Sequence, residues 1–399
     1  MIFSFTNHTL DTDRRELRRG SERIPVEPQV FDLLVYLIEH RGRVVTKDDL
    51  IASVWGGWIV SDSTLTSRIN AARKAVGDSG ENQAFIRTIA RKGVRFVGEI
   101  EQASALRSKA LTTSHSAPGY LHQEIQFCVA SDGVRIAFAS VGEGLPLVKT
   151  ANWLNHLEYD WQSPIWSHLL HALAADRHLV RYDQRGNGLS DWDIDDMSFD
   201  AFVRDLECVV NATGLDQFPL LGVSAGCAVS IAYATQHPER VSRLVLYGGF
   251  ARGAFRRGSR EQAEQWEALA TLMQHGWGQD NPAFRQIFTS QFIPGGTPEQ
   301  AQWFNDLQRK TTSPENAVRM LRTVGNIDVT GLLAQIRIPT LVLHCRDDAR
   351  VPFEEGRRMV ASIPGARFVA LEGRNHLVLE GEPASGRLFD EIRNFLDSG

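Results

Sequence analysis

A serine lies between two glycines in the sequence GVSAG at residues 222–226. The apolar residues before it predict a strand and the alanine-rich residues after it predict a helix, with Gly222 and Gly226 allowing a sharp turn between them. Such a turn exposes the Ser224 hydroxyl and directs backbone amides at the helix N-terminus toward a developing oxyanion. A serine hydroxyl is a poor nucleophile unless a base activates it. The motif therefore predicts acyl chemistry if the chain supplies a base.

A base and a carboxylate are predicted later in the chain. The residues CRDDARVP at 345–352 follow an apolar run, and GRNH at 373–376 follows the next one. In the order Ser, Asp, His, the imidazole of His376 would take the proton of Ser224, and an aspartate would fix its tautomer. Asp347 and Asp348 are both candidates for that aspartate.

The elements that must position these residues alternate along the chain. From about residue 124, short β-branched and aromatic runs alternate with helical patterns, which predicts a mainly parallel sheet with helices on both faces. The expected strands are residues 145–150, 178–183, 218–223, 241–248, 339–344 and 367–371.

These motifs resemble the α/β-hydrolase superfamily over about residues 122–399. Superfamily members carry a pattern similar to G-x-x-D-x-x-V-P, in which Cys345 stands at the glycine position, so the resemblance selects Asp348. The block RYDQRGNGLS at 181–190 is similar to hydrolase domains that bacteria fuse to signalling modules. Residues 255–335, with many aromatic residues, resemble the helical lid of the superfamily, which implies a pocket for a small apolar or acyl ligand.

The sequence departs from the superfamily at the loop that supplies oxyanion donors. It has KTANW at 149–153 where members commonly have His-Gly. The backbone amides of Trp153 and Ala225 are the expected donors. Loss of one donor costs about 10²-fold or more in rate, so slow or absent turnover is an alternative to efficient hydrolysis.

The first hundred residues predict a different kind of domain. Alternating residues at 3–24 predict a small antiparallel sheet, and residues 30–38 predict a first helix that ends near Gly42. Thr46 and Asp49 have the spacing of a capping box for a second helix. A third helix is expected to follow Asp62, with one apolar face formed by Leu65, Ile69, Ala72 and Val76.

The opposite face of the third helix is short, polar and basic, which suits contact with DNA in the major groove. It is expected to carry Thr64, Ser67, Arg68, Ala71, Arg73 and Lys74. A β-hairpin is predicted around residues 85–97, with a tip that would contact the DNA backbone or minor groove. The DNA contacts expected from this hairpin are Arg87, Thr88, Arg91 and Lys92. A solvated basic surface without a partner is the alternative.

The blocks FDLL, GRVVTKDDL, AARKAVGD and IRTI resemble the OmpR/PhoB-type winged helix-turn-helix over residues 1–100. This resemblance implies binding to double-stranded DNA as a homodimer on direct repeats. Val94 stands where the family tends to have Tyr. No receiver domain precedes this one in the sequence, so the input is expected from elsewhere. Residues 101–122, rich in Ser, Ala and Thr, predict a linker to a hydrolase domain at 123–399.

Composition limits the function classes. The 399 residues are 43% hydrophobic and 23% charged, as in ordinary globular proteins. No apolar stretch approaches the ~20 residues of a membrane span and residues 1–20 lack a signal-peptide pattern, so a cytoplasmic protein is expected. The four cysteines are widely separated and are expected to be buried thiols. No metal or cofactor is expected.

Three functions fit these observations. The leading hypothesis is a transcription regulator whose hydrolase-like domain senses, and can hydrolyse, a small apolar or acyl ligand. The second is a serine esterase or lactonase for which DNA binding is secondary. The third is a C-terminal domain that serves only for dimerisation.

Overall fold

The computed structural model describes residues 2–12, 15–20, 22–41, 44–54, 62–79, 82–89, 92–98, 123–258 and 260–398. The chain separates into two compact units, Met1–Ala117 and Pro118–Gly399. The predicted linker at 101–122, Arg91 and the Gly42 helix end lie outside the described residues.

The first unit begins with a four-stranded antiparallel sheet in the order β1-β2-β3-β4. The strands are β1 (Ile2–Phe5), β2 (His8–Asp11), β3 (Glu16–Arg19) and β4 (Glu22–Ile24). Leu10 and Leu17 pair across β2 and β3 and are both buried, because alternate residues of each strand face the same side. The small antiparallel sheet expected from the alternating pattern is therefore confirmed.

Three helices and a hairpin complete the first unit. They are α1 (Pro28–Glu39), α2 (Lys47–Val54), α3 (Asp62–Ala75), β5 (Ile86–Ile89) and β6 (Gly93–Phe96). The capping box of α2 forms as predicted, since the Asp49 amide donates to Thr46 Oγ1 at 3.1 Å and the Thr46 amide donates to Asp49 Oδ2 at 3.0 Å. Helix α1 ends at Glu39, and His40 leaves the helical conformation at φ −98° and ψ 24°.

The second unit is built on an eight-stranded sheet in the order β14-β13-β12-β11-β9-β10-β8-β7. Its strands are β7 (Glu124–Val129), β8 (Arg135–Val141), β9 (Leu145–Lys149), β10 (Arg177–Tyr182), β11 (Phe218–Val223), β12 (Val241–Tyr247), β13 (Thr340–Cys345) and β14 (Arg367–Leu371). Strands β9 to β14 pair in parallel, whereas β7 and β8 form an antiparallel edge. The mainly parallel sheet is confirmed. Strand β13 begins one residue later than predicted, because Pro339 has no N–H to donate to the ladder.

Helices flank this sheet and connect its strands. They are α4 (Leu157–Trp161), α5 (Ser167–Asp176), α6 (Phe199–Thr213), α7 (Gly226–Gln236), α14 (Phe353–Ser362) and α15 (Pro383–Asp397), together with six helices between β12 and β13. Helix α6 shows why the sequence forms these elements. Ser198 caps its first turn, Gly214 ends it in the left-handed region at φ 66°, and its buried residues include Phe202, Leu206 and Val209.

The six helices inserted between β12 and β13 form the segment that we call the lid. They are α8 (Ala254–Arg257), α9 (Arg260–Gly276), α10 (Ala283–Phe292), α11 (Pro298–Thr311), α12 (Pro314–Asn326) and α13 (Thr330–Leu333). Half of its aromatic side chains, among them Trp277, Phe288 and Phe304, are buried in the core of the unit. Among the helices that the structure describes, none is both long and apolar enough to cross a bilayer.

The cysteines differ from expectation in one respect. Cys227 and Cys345 are buried, but Cys128 on β7 and Cys208 on α6 are only partly buried, and their Sγ atoms lie 2.9 Å apart. Cysteines distant in the sequence meet here because α6 packs against the antiparallel edge of the sheet.

Candidate functional site

Ser224 lies at the turn between β11 and α7. Its φ is +53°, a left-handed conformation that a residue with a side chain adopts only where the surroundings enforce it. The Ser224 amide donates to the Tyr247 carbonyl at 2.9 Å. A Cβ at Gly222 would lie 2.7 Å from the Cys227 Cα, and one at Gly226 would lie 2.6 Å from the Ala151 carbonyl oxygen. Close backbone packing therefore requires both glycines and holds the serine in the strained turn.

The base and its carboxylate lie together on the loops after β13 and β14. Nδ1 of His376 is 2.7 Å from Oδ2 of Asp348, and Oδ1 of Asp348 accepts the amides of Arg350 and Val351 at 2.8 and 2.9 Å. Burial alone would raise the pKa of Asp348, but the imidazole of His376 and these contacts hold it below its ordinary value. Asp348 is thus a carboxylate, so Nδ1 of His376 must carry the proton. Asp347, the alternative, is exposed.

The other nitrogen of His376 is Nε2, on a ring that lies close to Gly248 after strand β12. Nε2 is buried and has no hydrogen-bond partner among the residues that the structure describes. Two glycines lie between the histidine and the serine: a Cβ on Gly248 would be 3.3 Å from His376 Cε1, and one on Gly249 would be 3.4 Å from the Ser224 carbonyl oxygen. Nucleophile–base hydrogen bonds are often loose before a ligand binds, so the unpaired Nε2 fits the role of a base.

Tyr247 holds the backbone around the histidine. Its hydroxyl donates to the carbonyl of His376 at 2.8 Å and accepts the amide of Val378 at 3.0 Å. Sequence reasoning did not identify this residue, although it ends the strand beside the one that carries the serine turn. The hydroxyl is buried and satisfied on both sides, which fixes the loop that carries the imidazole.

The two expected oxyanion donors are adjacent to Ser224. Trp153 and Ala225 line the same cavity as the serine, which has a volume of about 20 Å³. Within the described residues, neither of their backbone amides donates a hydrogen bond. Two unused amides beside a serine can donate hydrogen bonds to an oxyanion. The cavity has room for roughly one water molecule, so the lid is closed over the site.

A lysine supports the loop that bears Trp153. The Lys149 amine is buried, donates to Asn152 Oδ1 at 2.6 Å and lies 5.1 Å from the Trp166 ring centroid. The side-chain amide of Asn152 in turn donates from Nδ2 to the carbonyl of Trp153 at 3.1 Å. Burial lowers the pKa of Lys149 from 10.5 to about 8. This chain of contacts occupies the place of the His-Gly segment that the sequence lacks.

The block at 181–190 forms a hydrogen-bonded scaffold. Asp183 accepts the amides of Leu157 and Leu189 at 3.2 and 2.8 Å, and burial raises its pKa to about 8. Arg185 donates two hydrogen bonds to Asp205, at 2.8 and 2.6 Å, with both side chains fully buried. These charges order the loop and do not line the cavity at Ser224.

Two arginines line the Ser224 cavity and were not singled out from the sequence. They are Arg350, two residues after Asp348, and Arg257 at the end of α8. The pattern D-x-R before Val-Pro and the basic run RR at 256–257 were visible, but neither says that the side chains turn inward. Trp266 and Phe292 of the lid line the same cavity.

The predicted DNA-binding residues of the first unit divide into two groups. Ser67, Lys74, Arg87 and Lys92 are exposed, as expected. The side chain of Thr64 and the whole of Arg91 lie outside the described residues. Thr88 is exposed, but its Oγ1 accepts a hydrogen bond from Arg73.

Arg68 and Arg73 are not free on the open face, which corrects the prediction, and Ala71 is only partly exposed. Arg73 is buried and its Nε donates to the carbonyl of Ile86 at 3.0 Å, so it joins α3 to the hairpin. Arg68 pairs with Glu27, and Ala71 packs against the core. At 100° per residue, Arg68 and Arg73 fall beside the apolar face of α3 and not opposite to it. That rotation also places Asn70, which is exposed, on the open face.

Comparison with known proteins agrees with both units. A family model for the α/β hydrolase fold matches residues 154–383, and a model for transcriptional regulatory proteins, C terminal, matches residues 21–96. Pyrrolizixenacetamide deacetylase from Xenorhabdus hominickii is 30% identical over 236 residues, which are 58% of this chain and 85% of the deacetylase. The AB hydrolase superfamily protein YisY from Bacillus subtilis is 24% identical over 61% of this chain and 89% of its own length.

Solved structures share the fold of the second unit. A hydrolase from Pseudomonas aeruginosa superposes with a TM-score of 0.58 at 24% identity, over 69% of this chain and 98% of that one. The match to residues 154–383 covers more than half of the chain, and the sheet order agrees with it. The chain therefore belongs to the α/β hydrolase fold family and carries, in the same polypeptide, an N-terminal DNA-binding domain of the OmpR/PhoB transcription-regulator type.

Proposed function

We propose that this protein is a transcription regulator whose hydrolase domain binds a small acyl ligand at Ser224 and uses it to control DNA binding. The observation that carries the proposal is that one chain holds a DNA-binding domain and a hydrolase domain in which Ser224 lines an enclosed cavity and His376 is hydrogen-bonded to Asp348. The ligand-binding and DNA-binding parts act as a homodimer in this proposal, since direct-repeat sites need two DNA-binding domains.

The chemistry follows from the protonation states of the site. Because Nδ1 of His376 donates to Asp348, Nε2 is free to take the proton of Ser224 as its oxygen attacks an acyl carbon. The amides of Trp153 and Ala225 would stabilise the oxyanion that forms, and His376 would then pass the proton to the leaving group. An acyl-enzyme on Ser224 and its hydrolysis by water complete the cycle.

Ligand binding must open the lid, because the cavity at Ser224 holds only about 20 Å³. Among the residues that would have to move are Trp266 of α9 and Phe292 of α10. A ligand changes DNA affinity only if it binds the two states of the protein with different affinity. In this proposal the lid is closed without ligand and open with ligand. Its movement is the proposed source of the difference in ligand affinity between the two states.

The DNA-binding surface in this proposal is the open face of α3 together with the hairpin. Ser67, Asn70 and Lys74 on α3 and Arg87 and Lys92 on the hairpin are its exposed polar and basic residues. Ser and Asn suit contact with base edges, whereas the Lys and Arg side chains suit phosphates.

The second candidate is a serine hydrolase of esters, lactones or amides for which DNA binding is secondary. The relatives favour it, since one of them is a deacetylase and another a member of the AB hydrolase superfamily. The two functions are compatible if hydrolysis removes the signal.

A fluorophosphonate tests both, because it occupies Ser224 covalently. DNA affinity is measured by fluorescence anisotropy on the DNA upstream of the protein's own gene, before and after labelling. A regulator predicts a change of about fivefold or more, absent when Ser224→Ala is treated with the same reagent. Labelling without any change in affinity would contradict sensing and leave the hydrolase, whereas failure to label would contradict an activated serine.

A further inference from the structure

The side chain of Arg350 is sandwiched among lid aromatics at the mouth of the Ser224 cavity. Its guanidinium carbon lies 4.3 Å from the ring centroid of Trp266 and 5.1 Å from that of Phe292. Nη1 donates to Oε1 of Gln291 at 2.6 Å. Guanidinium has five N–H donors in one plane, and stacking uses its faces and leaves the donor edge available.

Among the described residues, the carboxylate that acts on Arg350 is that of Asp348, which favours its charged form from beyond ion-pair distance. Within the described residues, Arg350 forms no ion pair, and the triad Asp348 uses its oxygens for His376 and for backbone amides. Burial, and then the charge of Arg257, lowers the pKa of Arg350 to about 9, so it is still a cation at neutral pH. A partly buried cation that forms no ion pair is stabilised when an anion joins it.

Arg257 is a second cation that lines the Ser224 cavity. Its guanidinium lies 5.1 Å from the centroid of Phe250, and Nη1 donates to the carbonyl of Arg252 at 3.2 Å. Among the described residues it too forms no ion pair; the nearby carboxylate of Glu355 is instead paired with Arg358 at 3.0 Å. Both arginines therefore line the Ser224 cavity and have guanidinium N–H groups that could bind a ligand.

Both arginines stand between Ser224 and a larger cavity. This outer cavity has a volume of about 660 Å³, within the range of small-molecule pockets. Ala254, Arg257, Trp266 and Arg350 line both cavities. A ligand that extends from the serine into the outer cavity must therefore pass the two guanidinium groups.

We infer that the ligand is an acyl compound that bears a carboxylate, with Arg350 and Arg257 binding the carboxylate while the acyl carbonyl lies at Ser224. A planar carboxylate matches the fork of a guanidinium bidentately. This inference rests on the proposed function for the position of the carbonyl, and it adds a negative charge to the small apolar or acyl ligand expected from the sequence.

Binding to Ser224→Ala tests the inference without requiring turnover. The probes are the phenyl hydrogen esters of succinate, glutarate and adipate, each compared with its methyl phenyl diester by isothermal titration calorimetry. At least one hydrogen ester should bind about tenfold to a hundredfold more tightly than its neutral diester, the range expected for a charge-assisted hydrogen-bonded contact. Equal or weaker binding of all three hydrogen esters would overturn the inference.

Arginine variants assign that preference to residues. In the Ser224→Ala background, Arg350→Gln and Arg257→Gln should each remove most of the preference and leave diester binding within about threefold, while Arg350→Lys should restore part of it. Arg346→Gln is the matched control, since Arg346 is exposed on the same loop, is paired with Glu372 and lies outside both cavities. A preference that survives both Gln substitutions would also overturn the inference.

The proposed function can fail separately. Fluorophosphonate labelling of the wild-type serine does not depend on the arginines' ligand preference. Labelling without a preference for hydrogen esters contradicts the anionic ligand alone, and a preference without labelling contradicts the activated serine alone.

Discussion

Nδ1 of His376 and Oδ2 of Asp348 lie 2.7 Å apart, on loops that follow the neighbouring strands β13 and β14. Twenty-eight residues separate them in the chain. Parallel pairing of the two strands brings their carboxyl ends to one edge of the sheet, where β11 also ends at Ser224. The hydrogen bond to Asp348 fixes the tautomer of the His376 imidazole and leaves Nε2 as its acceptor nitrogen.

Asp348→Asn should lower the rate of fluorophosphonate labelling by a factor on the order of 10³ to 10⁴, because an amide in place of the carboxylate favours the wrong imidazole tautomer. The rate is measured by gel fluorescence against time. Asp347→Asn is the control, since Asp347 is exposed and next in sequence. Equal losses in the two variants would mean that Asp348 does not act through His376.

Gly188→Ala should destabilise the second unit by more than 2 kcal/mol. Gly188 has φ +52°, and a Cβ there would lie 2.1 Å from Oδ2 of the buried Asp183. Gly214→Ala is a matched control, because Gly214 has φ +66° with open space around its Cβ position and should cost only about 1 kcal/mol of backbone strain. Urea denaturation measures both; similar losses would argue against the role of Asp183 in ordering this loop.

Lys74→Ala should weaken DNA binding, whereas Arg73→Ala should lower the stability of the first unit. Lys74 is exposed on α3, so its loss should weaken binding to a mixed-sequence DNA duplex and reduce the salt slope by about 1 with unchanged stability. Arg73 is buried and holds the hairpin, so its loss should lower the free energy of unfolding of the first unit. Anisotropy over a salt series and thermal denaturation separate the two. A stable Arg73→Ala variant with weaker DNA binding would restore Arg73 as a phosphate contact.

The free energy of unfolding should rise with pH between about 8 and 10.5 because of Lys149. Its pKa is about 8 in the folded protein and 10.5 when unfolded, so in this window the unfolded chain binds more protons than the folded one. The full displacement corresponds to about 3 kcal/mol, lost at neutral pH and regained as pH rises through the window. Lys149→Met should lack this slope. If the free energy of unfolding of the wild type and of Lys149→Met depended on pH in the same way, the burial of the Lys149 amine would not lower its pKa.

Mild oxidation should join Cys128 to Cys208, because their Sγ atoms lie 2.9 Å apart and both are partly exposed. Treatment with diamide should remove two hydrogens by mass and leave the buried Cys227 and Cys345 as thiols. Cys208→Ser is the control. Retention of all four thiols after treatment would show that the two side chains cannot reach the dihedral angle of a disulfide.

Local patterns were enough to predict many of the elements. The strand before Ser224 and the strand Arg367–Leu371 agree with their predicted bounds, and the capping box at Thr46 forms as its spacing required. These features depend on residues close in the chain, so that the sequence contains both partners of each interaction. The sequence patterns do not predict the antiparallel edge strands β7 and β8, because apolar and polar residues alternate imperfectly along them.

Side-chain orientation was the weaker part of the prediction. Arg68 and Arg73 were expected on the DNA-binding face, but one pairs with Glu27 and the other is buried against the hairpin. A basic residue in a helix has the same local pattern whether it faces solvent or spans to a neighbouring element. The choice depends on acceptors that lie 41 and 13 residues away.

The sequence by itself determined the two domain types, the serine turn and the order of its catalytic partners, because each is encoded in short-range periodicity and in glycines that a turn requires. Only the tertiary structure decided that the lid closes the cavity, and that Arg350 and Arg257 line it without an ion pair among the described residues. Those outcomes depend on packing between segments far apart in the chain, and the burial of a charge is a property of the assembled surroundings and not of the residue.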